Sequence, residues 1–220
     1  SFSQQGLNGM SQVFHKLLRD RVARGKYQYA DRPIVINNWE ATFFDFDDKK
    51  LDQIIDEAKP LGIEMFVLDD GWFGHRNDDN SSLGDWFVNQ DKLTGGLKRV
   101  ADRTHEHGMK FGLWFEPEMI SVDSKLYKEH PDYALHEPNR GMTLSRNQLV
   151  LDFSRKEVVD NIYNQMCLIL DKVPLDYIKW DFNRNLTEVF SSAADAEHQG
   201  EVSHRYVLGL YDLMEQLVTR

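Results

Sequence analysis

The sequence predicts an α/β fold of parallel strands joined by crossover helices. Three observations carry that expectation. Five apolar segments of strand length alternate with segments of helical period. The strand segments are apolar on both faces, as strands covered by helices on each side are. Their polar and aromatic residues gather at the C-terminal ends, the edge at which parallel α/β architectures bind ligands.

Taken in order, Met10, Val13, Phe14, Leu17 and Leu18 recur at helical spacing, with basic residues from His15 to Arg24 opposite and Gly25 able to end the helix. PIVINNW (33–39) reads as the first strand. Leu51, Ile54, Ile55 and Ala58 mark a helix stopped before Pro60 and Gly62. IEMFVLDDGW (63–72) is the second strand. A helix through Leu97, Val100, Ala101 and Thr104 ends at Gly108, and MKFGLWFEPE (109–118) is the third strand. QLVLDF (148–153) is the fourth. Ser154 with Glu157 three residues on reads as a capping box that opens a helix through Leu170. DYIKWDFN (176–183) is the fifth strand. Val207, Leu210, Tyr211, Met214, Leu217 and Val218 mark a closing helix. The strand interval suits a (β/α) barrel or a doubly wound sheet. A closed barrel of this kind has eight strands, so the 220 residues read as roughly the first five strands of a larger TIM-type (β/α)8 barrel, with 1–30 a leading helix and linker.

Composition narrows the partners. A net charge of −10 disfavours nucleic acid and anionic membrane surfaces, which want basic patches. The single cysteine, Cys167, sits in an apolar helical run, excludes an intrachain disulfide and suits a reducing compartment. No apolar run reaches membrane-spanning length, and SFSQQGLNGM has no signal-peptide pattern. A cytoplasmic location is expected. There is no GxGxxG or GxxxxGK[ST] motif for dinucleotides or nucleotide phosphates. His75, His105, His107, His130 and His136 lack tight ligand spacing, so neither metal nor cofactor is expected.

The strand ends carry Asn37, Asn38, Trp39 and Glu40; Asp69, Asp70, Gly71 and Trp72; Trp114, Glu116 and Glu118; Asp152; and Lys179, Asp181 and Asn183. Carboxylates and amides that bind hydroxyl groups, beside tryptophans that stack on C–H surfaces, point to a sugar. With the two-residue period of a strand, Ile178, Trp180 and Phe182 face the helices, while Tyr177, Lys179 and Asp181 face the mouth. An ammonium beside Asp181 lowers its pKa, which suits a carboxylate nucleophile. A structural salt bridge plugging the mouth is the equal alternative. Retaining glycoside hydrolysis needs a second carboxylate about 5–5.5 Å away. Asp69, Asp70, Glu116, Glu118 and Asp152 are all open for that role.

LDDGWFGHRNDDNSSLGDW (68–86), GLWFEPEMI (112–120), RNQLVLDFSR (146–155) and YIKWDFNR (177–184) resemble motifs of the bacterial α-galactosidases, or melibiases, of glycoside hydrolase family 36. The resemblance runs over nearly the whole chain. It implies a retaining barrel glycosidase acting on α-galactosides of the melibiose and raffinose type through a covalent galactosyl-aspartate. It implies Asp181 as the nucleophile and Asp69 and Asp70 as the pair holding the galactose 4- and 6-hydroxyls. Trp39, Trp114, Arg146, Lys179 and Asn183 match the other sugar-contacting positions. It further implies a tetramer. The family's acid/base aspartate, in a Gly-rich motif after the sixth strand, and a nearby cysteine are absent from 1–220, so the isolated segment is expected to be inactive. An α-galactosyltransferase of the raffinose-synthase type and a non-catalytic sugar-binding or assembly module are the rival readings.

Overall fold

In the computed structural model the described residues are 3–23 and 25–220. Ser1, Phe2 and Arg24, the last counted in the expected basic face, lie outside them. The chain divides into two compact units, residues 1–34 and 35–220. In the first, helix α1 (Gly6–Leu17) forms where its periodicity places it and runs on as a wider π-helical turn over Leu18–Val22. None of its residues is buried, and Val13, Phe14, Leu17 and Leu18 are all exposed.

The second unit contains strand β1 (Val35–Asn37), helices α2 (Trp39–Thr42) and α3 (Asp48–Ala58), β2 (Met65–Leu68), α4 (Gly96–Glu106), β3 (Lys110–Phe115), β4 (Met119–Ile120), α5 (Lys125–Glu129), β5 (Leu149–Val150), α6 (Lys156–Leu170), β6 (Tyr177–Trp180) and α7 (Val202–Thr219). Helix α3 starts where the Asp47 side chain accepts from the Lys50 N–H at 2.8 Å, and it gives way at Pro60 to a left-handed Gly62. Helix α4 is followed by Gly108, also left-handed.

Four strands form a parallel sheet in the order β1-β2-β3-β6, with Asn37 beside Val67, Leu68 beside Leu113, and Trp114 beside Lys179. All of β2 and all of β3 after Lys110 are buried, which is why these segments read as continuous apolar runs. The expected fourth parallel strand is a correction. Within QLVLDF, Leu149–Val150 pairs antiparallel with Met119–Ile120, outside the parallel sheet, and β3 takes β6 as its neighbour directly. Pro117 has no N–H to donate, so the chain leaves the ladder after Phe115 and turns into this small second layer.

Three smaller expectations also change. The expected Ser154–Glu157 capping box does not form: Ser154 Oγ donates to Asp152 Oδ1, Glu157 accepts from Arg155 Nε, and α6 begins at Lys156. The first strand ends early, because Trp39 opens α2. On α7 the buried stripe is Val202, Tyr206 and Leu213, while Val207, Tyr211 and Val218 face outward. Gly209 lies where that helix meets α6: a Cβ there would fall 1.9 Å from the Phe153 carbonyl oxygen. Among the described residues no helix is long and apolar enough to cross a membrane.

Candidate active site

The C-terminal edge of the parallel sheet collects most of the expected residues. Asp69 follows β2 directly and is 3% exposed. Such a carboxylate must be paired or hydrogen-bonded. Its Oδ2 accepts from Lys179 Nζ at 2.7 Å and from Asn37 Nδ2, its Oδ1 accepts from the Asp70 N–H at 2.9 Å, and its own N–H donates to Asn38 Oδ1 at 2.8 Å. Asn37 also accepts from the Trp39 N–H at 2.7 Å, which ties the start of α2 to the cluster. Trp39 is partly exposed and held edge-to-face between Phe43 and Phe44.

Lys179 therefore pairs with Asp69, where the sequence reading had paired it with Asp181. The nearly dry carboxylate on the other side of β3 takes the ammonium, and half-buried Asp181 is served by N–H donors. Asp181 Oδ2 accepts from Trp114 Nε1 and Asn183 Nδ2, each at 3.0 Å, and Oδ1 accepts from the Phe182 N–H at 3.0 Å. Burial alone raises its pKa. The donors, together with the charge of Lys179, outweigh burial and hold it below the ordinary aspartate value. Trp114 itself is 1% exposed, packed against Phe73 and Trp86. Its ring offers no free face for stacking, and it reaches the site through its indole N–H.

Asp70 makes a buried bidentate pair with Arg76, Oδ1 with Nε at 2.9 Å and Oδ2 with one terminal nitrogen at 2.8 Å. Burial raises the Asp70 pKa against the pull of that guanidinium. Glu116 is 1% exposed, and its Oε1 accepts from the Asn183 N–H at 2.6 Å and Gln148 Nε2 at 2.9 Å. Glu118 accepts from Trp180 Nε1 at 2.8 Å and from the Tyr206 hydroxyl. Burial raises the pKa of both glutamates. Asp152 is fully buried, with Ser154 N–H and Oγ on one oxygen.

Arg146 is not brought into this network. It is exposed, and with Asn147 it forms two consecutive positive-φ residues (52° and 59°) in a tight turn bridged by Ser145 and Gln148. Sequence reasoning missed the residue that holds this turn. Arg184, 5% exposed, donates to the carbonyls of Gln148 at 2.7 Å and Thr143 at 2.9 Å. Sequence reasoning also missed Arg76 and Gln148 as supports, and had Asn37 only as one of the polar residues at a strand end. Arg76 and Arg184 both lie inside motifs already singled out, and for Arg76 the aspartate six residues before it was the available signal. Cavities of 440 Å³ along α4 and 290 Å³ between Arg155 and Arg205 are lined by other residues. Among the described residues no group of three or more His, Cys, Asp or Glu is placed to hold a metal.

Fold and site together define an α/β protein whose parallel sheet presents a carboxylate-centred polar cluster at its strand C-termini. A model of the Melibiase family matches residues 1–220, and the chain belongs to that family. It is 61% identical to the α-galactosidase Mel36A of Lactobacillus acidophilus, over all of this chain and 30% of that protein. It is 54% identical to the α-galactosidase AgaA of Geobacillus stearothermophilus, whose crystal structure superposes with a TM-score of 0.95 over 99% of this chain and 30% of that one. The bifunctional α-galactosidase/sucrose kinase AgaSK of Mediterraneibacter gnavus is 51% identical, with 23% of its length covered. The chain thus spans about 30% of the length of the first of these relatives. Variants of the Geobacillus enzyme have been crystallised with raffinose and with stachyose.

Proposed function

We propose that the protein to which this chain contributes is a retaining α-galactosidase of the glycoside hydrolase 36 type, built on a (β/α)8 barrel, and that Asp181 is its nucleophile. The observation that carries this is the state of Asp181: half-buried, fed by three N–H donors and held ionised below the usual carboxylate range. An ionised carboxylate with no cation bonded to it directly can attack an anomeric carbon and leave as a carboxylate when water resolves the ester. Asp69 and Asp70 are held rigidly by Lys179 and Arg76, as acceptors that must discriminate one hydroxyl epimer from another should be. The sugars bound by the Geobacillus relative support raffinose-type galactosides as substrates.

The general acid/base belongs, in this proposal, to residues outside 1–220. The other carboxylates of the cluster are each spoken for: Asp69 by Lys179, Asp70 by Arg76, and Glu116, Glu118 and Asp152 by burial at 2% exposure or less. Residues 1–220 then form one partial catalytic domain, and the isolated segment does not hydrolyse melibiose.

The test uses the full-length protein and its Asp181→Ala variant with an activated aryl α-galactoside, with and without azide. The variant is expected to lose activity by several orders of magnitude. Azide should restore release of the aryl group, with β-galactosyl azide as product. Near-normal activity of the variant without azide would remove Asp181 from the reaction.

A further inference from the structure

Asp70 and Arg76 bracket a short turn, and their bidentate pair is useful only if that turn keeps its shape. Both side chains are buried, at 7% and 2% exposure. Arg76 is anchored on its far side by donating to the Ser81 carbonyl at 2.7 Å. The middle of the turn is tied by backbone bonds, Gly74 N–H to Phe87 O at 2.8 Å, Asn89 N–H to Trp72 O at 2.8 Å and Arg76 N–H to Phe73 O at 3.2 Å. Lys92, which the functional reading leaves unused, holds the carbonyls at the turn's two ends. Its ammonium donates to the carbonyls at both ends of the turn, Gly71 O at 3.0 Å and Arg76 O at 2.8 Å. It lies 4.8 Å from the centre of the Phe46 ring and 5.9 Å from that of Phe44. Gly71 has φ of 103°, and a Cβ there would come within 3.3 Å of Lys92 Nζ and closer still to both phenylalanines. The glycine therefore leaves free the space into which the ammonium fits.

We propose that Lys92 is a positioning residue whose ammonium clamps the 71–76 turn by its two end carbonyls and so fixes where the Asp70 carboxylate faces the bound sugar. The proposal rests on the α-galactosidase reading above for its substrate, but not for its structural core. A consequence is a limit on the alkaline side. Burial holds Lys92 down to about 8; Asp70 and Asp45 favour its charged form and Arg76 opposes it. Above that pH the neutral amine is a weaker donor to two carbonyls, and the clamp loosens.

The experiment compares the full-length wild type with Lys92→Met, which keeps an apolar stem, and Lys92→Arg, which keeps the charge. Hydrogen exchange of the peptide spanning 69–76 is followed alongside KM and kcat for an aryl α-galactoside from pH 6 to 9.5. Lys92→Met is expected to speed exchange in that peptide and raise KM about tenfold with a smaller change in kcat, the scale of a lost charge-assisted hydrogen bond. Wild-type KM should rise as pH passes about 8, while that of Lys92→Arg should stay flat. Unchanged exchange and KM in Lys92→Met overturn the proposal. If that variant fails to fold, a KM in Lys92→Arg that rises with pH as the wild type's does overturns it. A wild type that releases galactose from no α-galactoside, yet loses protection of 69–76 on Lys92→Met, would sink the enzymatic reading and leave the clamp standing.

Discussion

Asp181 is held ionised chiefly by neutral donors, and each donor has a measurable share. Asn183 Nδ2 sits 3.0 Å from Oδ2 on a partly exposed residue, so it can be removed without opening the core. In Asn183→Ala the Asp181 pKa rises, because a donor that favours the charged form is gone. A nucleophile works above its pKa, so the acid limb of kcat/KM moves to higher pH. The rate at the optimum falls about tenfold. An acid limb that stays in place would show that Asp181 does not control it. The identity of Asp181, Asp69, Lys179 and Asn183 as strand-end residues was legible in the sequence, since alternation and position give that much. Which cation serves which carboxylate was not, because pairing is decided across strands: Asp69, just after β2, and Lys179 on β6 meet over β3.

At the level of elements, Glu118 joins pieces that the sequence shows only separately. It takes the indole N–H of Trp180 on β6 and the hydroxyl of Tyr206 on α7, while its carbonyl accepts from the Leu151 N–H. Glu118→Ala leaves two donors unpartnered and should cost about 3 kcal/mol in denaturant-induced unfolding of the full-length protein. Glu118→Gln keeps one acceptor and should stay within about 1 kcal/mol. Burial raises the Glu118 pKa in the folded state, so its contribution is largest below the ordinary glutamate pKa and declines as pH rises through the raised value. The non-ionising Gln variant should thus gain on the wild type as pH rises from the ordinary glutamate range through the raised value. Equal losses for Ala and Gln would mean that the hydrogen bonds are not what matters. The strands β1, β2, β3 and β6 were readable from apolar runs, and Leu149–Val150 was readable as a strand but not its antiparallel pairing. A short apolar run fits a central parallel strand and a two-residue antiparallel pair equally well, and only its partner separates them.

Over the whole molecule, the outer strands β1 and β6 each have one sheet neighbour among the described residues. Val35 and Tyr177 on them are 48% and 47% exposed. Unpaired strand edges of this kind template association. The isolated 1–220 segment, 25.7 kDa, is expected to elute from gel filtration well above its monomer mass. A sharp monomer peak would show that these edges are closed without further strands.

Read along the chain alone, the residues give the α/β class, four of the five expected parallel strands, the edge at which the polar residues gather and, through ordered motifs, the Melibiase family. Those properties are local: periodicity, breakers and residue order act within a few turns of chain. Only packing across the fold decides that Lys179 serves Asp69, that Trp114 offers an N–H and not a ring face, and that Lys92 and Arg184 brace the turns around the site. These depend on which buried group most needs a partner once distant segments are packed together, a competition that has no signature along the chain.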